Sequence, residues 1–93
     1  MARVKLRVFY ELIDMLGAHE VEAEAETIND LLDQIVKRYG EMARRAILGP
    51  NNEIHEHLLV YVNNRHIKKE EYGSTKLNDG DLVMILPPVG GGS

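Results

Sequence analysis

The sequence predicts an α+β fold: a mixed sheet of four to five strands with one main helix packed on one face. Residues 4–10 and 19–25 alternate apolar and charged side chains, which is typical of half-buried strands. Residues 28–39 place apolar side chains at helical spacing along one stripe. A hairpin, a helix and further strands bury their apolar faces together when the helix lies on one side of a single sheet.

The composition fits one small domain without redox or metal-thiolate chemistry. The 93 residues include no cysteine, which excludes a disulfide framework and a cysteine nucleophile. Acids and bases alternate along the chain at a net charge of -4, so the basic face of a nucleic-acid binder is not expected. The longest apolar run, residues 82–86, is too short to span a bilayer, and no signal peptide is evident. We therefore expect a cytoplasmic protein without a nucleic-acid or membrane partner.

The hairpin strands and their connection come first. Residues 4–10 form the first predicted strand, and Glu11–Leu16 carry helical spacing that ends at Gly17. The second strand, residues 19–25, has an acidic outer face, and charged side chains on an exposed strand discourage edge-to-edge pairing.

The main helix has start and stop signals at both ends. Thr27 is suited to cap a free backbone N–H, and Asp30 in the first turn interacts favourably with the helix dipole. Gly40 is a typical C-terminal stop. A looser helical stretch over residues 41–48 ends at the turn-forming residues 49–52.

The second half of the chain predicts three more strands. Residues 56–62 form the third strand, and Asn63-Asn64 provide a tight turn because asparagine tolerates positive φ. Residues 65–67 return as a short strand, and residues 82–86 form the last one. Pro87 and Pro88 end it because proline donates no ladder hydrogen bond.

The strand parity assigns two faces to the sheet. Side chains predicted to face the helix are Leu6, Val8, Tyr10, Leu58, Val60, Val62, Val83 and Ile85. The helix covers one face only, so an apolar group is left on the other. This open-face patch consists of Phe9, Leu59, Tyr61, Met84 and Leu86. A contiguous exposed apolar patch often marks a docking surface; the alternative is that these residues are ordinary sheet residues covered by a loop or a dimer partner.

The C-terminus, residues 87–93, reads Pro-Pro-Val-Gly-Gly-Gly-Ser. We divide the chain into a domain of residues 1–89 and a flexible glycine tail of residues 90–93. The prolines favour an extended conformation that holds the glycines away from the domain. Such a tail fits a narrow channel and presents an unbranched carbonyl to attack. The alternative is a disordered end or a cloning linker.

Several segments in the same order resemble the MoaD/ThiS sulfur-carrier family. Residues 83–92 resemble its C-terminus, where an apolar strand runs into Pro-Pro-Val and a terminal diglycine. The upstream segments that resemble it are residues 4–17, 27–32, 38–39, 60–65 and 77–81. The resemblance implies a ubiquitin-like β-grasp fold. Archaeal small modifiers and Urm1-like proteins share this fold and its diglycine end.

The resemblance also implies a function in which the chain itself is not an enzyme. An E1-like enzyme would use ATP to adenylate the carboxylate of Gly92, or of Gly91, and convert it to a thiocarboxylate. In MoaD-like members the sulfur then reaches a pterin precursor of the molybdenum cofactor, together with a MoaE-like large subunit. The chain would bind no cofactor itself. The resemblance implies that Phe9, Leu59 and Leu86 contact a partner, in agreement with the strand parity. Together with the parity and the tail, we expect the partner-binding residues to be Phe9, Leu59, Tyr61, Met84, Leu86, Pro87, Pro88, Val89, Gly90 and Gly91.

Ser93 departs from the family pattern, because an active member ends on glycine. Either a peptidase removes Ser93, or cloning added it, or this form is inactive. Processing is common among ubiquitin-like modifiers, so a second hypothesis is a modifier whose glycine joins target lysines. A third is a binding module with an inert tail.

Other chemistry-bearing residues predict no catalytic centre and no metal site. His55 and His57 would share a face of the third strand near His66, but surface histidines are common and no carboxylate partner is evident. Residues 79–81, Asp-Gly-Asp, lack the spacing of a calcium-binding loop and predict a turn.

Overall fold

The computed structural model describes residues 1–10, 12–51 and 53–87. The strands are β1 (Ala2–Val8), β2 (Glu20–Ala25), β3 (Leu59–Val62), β4 (Arg65–Ile67) and β5 (Leu82–Leu86). The helices are α1 (Leu12–Leu16), α2 (Ile28–Tyr39) and α3 (Glu41–Ile47), with a 3₁₀ turn at Lys69–Glu71. No helix in these ranges is both long and apolar enough to cross a membrane.

The strands form one mixed sheet in the order β2-β1-β5-β3-β4. Neighbouring strands are antiparallel except β1 and β5, which run parallel at the centre, with Leu6 opposite Val83. The core lies between this sheet and the helices. Strict alternation of buried and exposed residues along β1 shows why the sequence period specifies its register: a one-residue slip would expose Val4, Leu6 and Val8.

Helix α2 begins and ends as its sequence predicts. The Thr27 hydroxyl accepts a hydrogen bond from the Asp30 N–H at 3.2 Å. Gly40 has a φ of 79°, which favours glycine, and its N–H donates to the Val36 carbonyl at 2.8 Å. Ile28, Leu31 and Ile35 on the inner stripe are fully buried.

The β3–β4 turn is tied to the start of β5 through one asparagine. Asn63 and Asn64 both have positive φ, 50° and 71°, as expected for this tight turn. The Asn63 side chain donates to the Asp81 carboxylate at 2.8 Å, and its amide oxygen accepts the Leu82 N–H at 3.0 Å. Asp81 is the buried charged residue of the described chain, and its second oxygen accepts the Asn78 N–H at 2.8 Å. The network fixes where β5 enters the sheet.

The predicted end of the first strand and the predicted start of the third strand were wrong. The first strand stops at Val8, so Tyr10 does not face the helix: it has a φ of 57° and a side chain 60% exposed. Its carbonyl accepts the Ile13 N–H at 3.0 Å and opens α1, which outweighs the alternation. The third strand starts at Leu59 rather than at residue 56, because the Leu58 N–H turns back to the His55 carbonyl at 3.1 Å.

Replacing Asn63 with glycine should destabilise the domain more than the same change at Asn64. Glycine adopts positive φ without strain at both positions, so a comparison of the two variants isolates the contribution of the Asn63 side-chain hydrogen bonds. We expect Asn63→Gly to lower the free energy of unfolding by about 2 kcal/mol, because the buried Asp81 loses a donor. Asn64→Gly should be neutral or stabilising by less than about 1 kcal/mol. Urea denaturation measures both; equal effects would contradict the role of the network.

Candidate functional site

The open face of the sheet, opposite the helices, is divided into a charged half and an apolar half. On β1 and β2, basic side chains lie beside acidic ones: Arg7 pairs with Glu20 at 2.8 Å, and Arg3 with Glu24 at 3.8 Å. On β5 and β3, the same face carries only apolar or aromatic side chains. The division follows from the strand order, because the charged hairpin occupies one edge of the sheet.

The strand register brings the open-face patch together as the sequence predicts. Leu86 lies opposite Leu59, and Met84 lies opposite Tyr61. Leu59 is 37% exposed and the other members are half-buried. Phe9 is half-buried and follows Val8, the partner of Ile85 in the parallel pair, just beyond the end of β1. Four members of the patch therefore form two cross-strand pairs on neighbouring strands β3 and β5, and Phe9 lies at the end of β1, on the other side of β5.

The patch lies where the C-terminal segment leaves the sheet. Leu86 is the last residue of β5, and Pro87 after it is buried. β5 lies between β1 and β3, so the chain emerges from the middle of the sheet rather than from an edge. Pro88, Val89, Gly90, Gly91 and Gly92, which we predicted as partner-binding or attachment residues, lie outside the described residues, as does Ser93.

The polar border of the patch was not anticipated from the sequence. Arg7 lies opposite Met84, and Lys5 opposite Leu82, across the parallel β1–β5 pair. On the far side, the His66 ring contacts Tyr61 with ring centroids 5.4 Å apart. The alternation in the sequence predicted that Lys5 and Arg7 lie on this face. It could not predict that they lie beside β5, because the β1–β5 pairing joins opposite ends of the chain. The patch thus has cationic residues on one flank and an imidazole on the other.

The histidine prediction was wrong in its placement. His55 and His57 precede β3, in a turn, although their rings do stack with centroids 5.1 Å apart. The His55 Nε2 lies 3.1 Å from the Arg45 carbonyl oxygen near the end of α3. His66 lies on β4 against Tyr61. Within residues 1–10, 12–51 and 53–87, His, Asp and Glu side chains do not gather in threes that could hold a metal ion.

The clearest pKa shifts occur on the helix side, away from the patch. A hydrogen bond from Lys69 at 2.8 Å lowers the pKa of the Glu53 carboxyl, and Arg44 does the same for the Glu41 carboxyl. All four side chains are largely exposed, so these pairs contribute little to stability. Burial raises the pKa of the Tyr72 hydroxyl in the same region.

Two relatives match most of the chain. Small archaeal modifier protein 3 of Haloferax volcanii is 29% identical over 92 residues, which are 96% of this chain and 98% of the relative. A putative sulfur carrier protein of Archaeoglobus fulgidus is 32% identical over 76 residues, covering 82% of this chain and 85% of the relative.

The fold agrees with the same group. The solution structure of small archaeal modifier protein 1 from Methanosarcina acetivorans superposes with a TM-score of 0.86 at 28% identity, covering 99% of this chain and 98% of that one. These similarities confirm the ubiquitin-like β-grasp fold and the sulfur-carrier and modifier resemblance. The sequence profile of the ThiS family matches residues 6–92. The chain therefore belongs to the ThiS family, among relatives that are sulfur carriers and small protein modifiers.

Proposed function

We propose that this protein is a sulfur carrier of the molybdopterin-synthase small-subunit type. An E1-like enzyme adenylates its terminal glycine, and the resulting thiocarboxylate donates sulfur in molybdenum cofactor biosynthesis. The observation that supports this best is the open-face patch at the C-terminal end of β5. An apolar surface at the root of the tail allows a partner enzyme to hold the domain while the tail reaches its active site.

The proposed chemistry needs only a carboxylate from this chain. A carboxylate oxygen of Gly92 attacks the α-phosphorus of ATP, and pyrophosphate leaves. A sulfide or persulfide sulfur from a donor then attacks the acyl carbon, and AMP leaves with the bonding electron pair. A persulfide donor also needs a thiol to reduce the resulting acyl disulfide. Glycine suits both attacks because no side chain branches at its α-carbon.

The patch supplies binding energy without burying charge. Leu59, Tyr61, Met84 and Leu86 expose apolar surface that a partner removes from water at roughly 25 cal/mol per Å². Only a few such residues usually dominate an interface. The partners we propose are the E1-like enzyme and a MoaE-like large subunit.

A second candidate is a protein modifier whose glycine forms an isopeptide bond with target lysines. It is favoured because the Haloferax volcanii relative, named a modifier, matches 96% of this chain. Both candidates share the adenylation step and differ in the nucleophile that follows, sulfur or a lysine amine. Removal of Ser93 by a peptidase would precede either reaction.

Sulfur transfer to the tail is tested by intact mass. A chain ending at Gly92, incubated with the cognate E1-like enzyme, ATP and a sulfur donor, should exchange one oxygen for sulfur. The matched control is the full chain ending at Ser93, which should stay unchanged because its glycine carbonyl is locked in an amide. If the Gly92 form shows neither an adenylate nor sulfur exchange, both activated-tail functions are excluded.

The docking role of the patch is tested by two leucines on one strand. Leu86 and Leu82 are half-buried on the same face of β5, but only Leu86 lies at the tail end. Leu86→Ala should weaken binding to the E1-like enzyme or the large subunit about tenfold, whereas Leu82→Ala should change it less than about threefold. Phe9→Ala should behave like Leu86→Ala. Calorimetry measures binding, and circular dichroism checks that each variant is folded. Equal effects at Leu82 and Leu86 would contradict docking beside the tail.

The two candidate functions separate in cells. For a carrier, deletion should abolish molybdopterin, and tryptic digests of cell extracts should contain no lysines that bear residues 77–92 of this chain, the remnant that cleavage after Lys76 would leave. For a modifier, those remnants should appear and molybdopterin should persist. Re-expression of a form lacking residues 91–93 is the control, since it retains the domain and lacks the acceptor.

A further inference from the structure

The outer edge of β2, centred on Glu22, carries backbone groups that no other strand of the sheet pairs. β2 is an edge strand next to β1. The Val8 N–H donates to the His19 carbonyl at 2.9 Å, which makes Val8 and His19 a hydrogen-bonded pair of the β1–β2 ladder. Because such pairs alternate, the N–H and C=O groups of residues 20, 22 and 24 point away from β1. This edge can therefore accept another strand.

One of these outward groups already has a charged donor. The Arg38 guanidinium, from the last turn of α2, donates to the Glu22 carbonyl at 2.9 Å. Within the described residues, no side chain forms a hydrogen bond with the outward-pointing backbone N–H and C=O groups of residues 20 and 24. Arg38 thus occupies one acceptor at the middle of the edge.

The side chains of the edge specify what kind of strand fits it. Glu20, Glu22 and Glu24 share the open face, and Glu20 and Glu24 form ion pairs with β1. The Glu22 carboxylate has no ion pair within the described ranges. Beside the edge lies a groove of about 580 Å³, in which Ala23 and Ile35 supply apolar surface and Gln34, Lys37 and Arg38 of α2 supply polar surface. An added strand would place alternate residues opposite the glutamates and the others over this groove.

We infer that the β2 edge is a docking site for an extended segment of a partner that alternates basic and apolar residues. The chain already contains one such strand. Residues 3–8, RVKLRV, pair with the inner side of β2 and set basic residues opposite these glutamates. A second copy fits less well, because β2 against β2 would oppose two rows of glutamates. The inference goes beyond the proposed function and does not depend on the tail.

Binding of a fluorescent peptide with the sequence RVKLRV tests the docking site. We expect measurable binding by anisotropy, with amide shifts in ¹⁵N spectra concentrated on residues 20, 22 and 24. The same peptide with glutamate at its basic positions should not bind, and Glu22→Lys should weaken binding about fivefold. Equal binding of the acidic peptide, shifts confined to the open-face patch, or displacement of β1 would each overturn the inference.

Arg38 distinguishes strand pairing from simple charge attraction. Arg38→Ala and Lys37→Ala each remove one exposed cation beside the groove, but only Arg38 occupies the Glu22 carbonyl. Arg38→Ala should tighten peptide binding about fivefold by freeing a backbone acceptor. Lys37→Ala should change it less than about twofold. If both variants change binding equally, the peptide is held by charge alone and no strand is added.

Discussion

The parallel pairing of β1 with β5 is the contact on which the rest of the structure depends. It joins the first and last strands at the centre of the sheet, with Leu6 opposite Val83 and Val8 opposite Ile85, all fully buried. Closing a loop of this length costs conformational entropy, which buried apolar side chains offset. Because β5 is central, the C-terminal segment leaves from the middle of the sheet, beside Phe9 on one side and Leu59 on the other.

The same pairing separates the two surfaces of the open face. Charged β1 and β2 lie on one side of it, and apolar β3 and β5 on the other. The Asn63 and Asp81 network then sets the register at the start of β5, so that Met84 lies level with Tyr61. Without that register the apolar side chains would not form one patch. The open-face patch is therefore a consequence of the core pairing and of one buried polar contact.

Local patterns predicted most of this, and non-local contacts account for what they missed. The period of two in β1, the Thr27 cap and the Asn63-Asn64 turn are local signals, and each was confirmed. Tyr10 was predicted to face the helix and does not, because the turn into α1 begins before the alternating pattern of the sequence ends. The flank at Arg7 and the Arg38 contact with β2 could not be read from spacing, since each joins residues distant in sequence.

The two proposed binding surfaces are compatible on one domain. The outer edge of β2 and strand β3 are separated by β1 and β5, so three strand spacings, roughly 14 Å, lie between β2 and the centre of β3. A partner on the open-face patch would cover β5 and β3, whereas an added strand would extend the sheet beyond β2 in its own plane. The shared element is the basic row of β1, and Arg7 and Arg3 are already neutralised by Glu20 and Glu24. The two proposed partners would therefore cover different strands of the sheet, so that the domain can bind both of them at the same time.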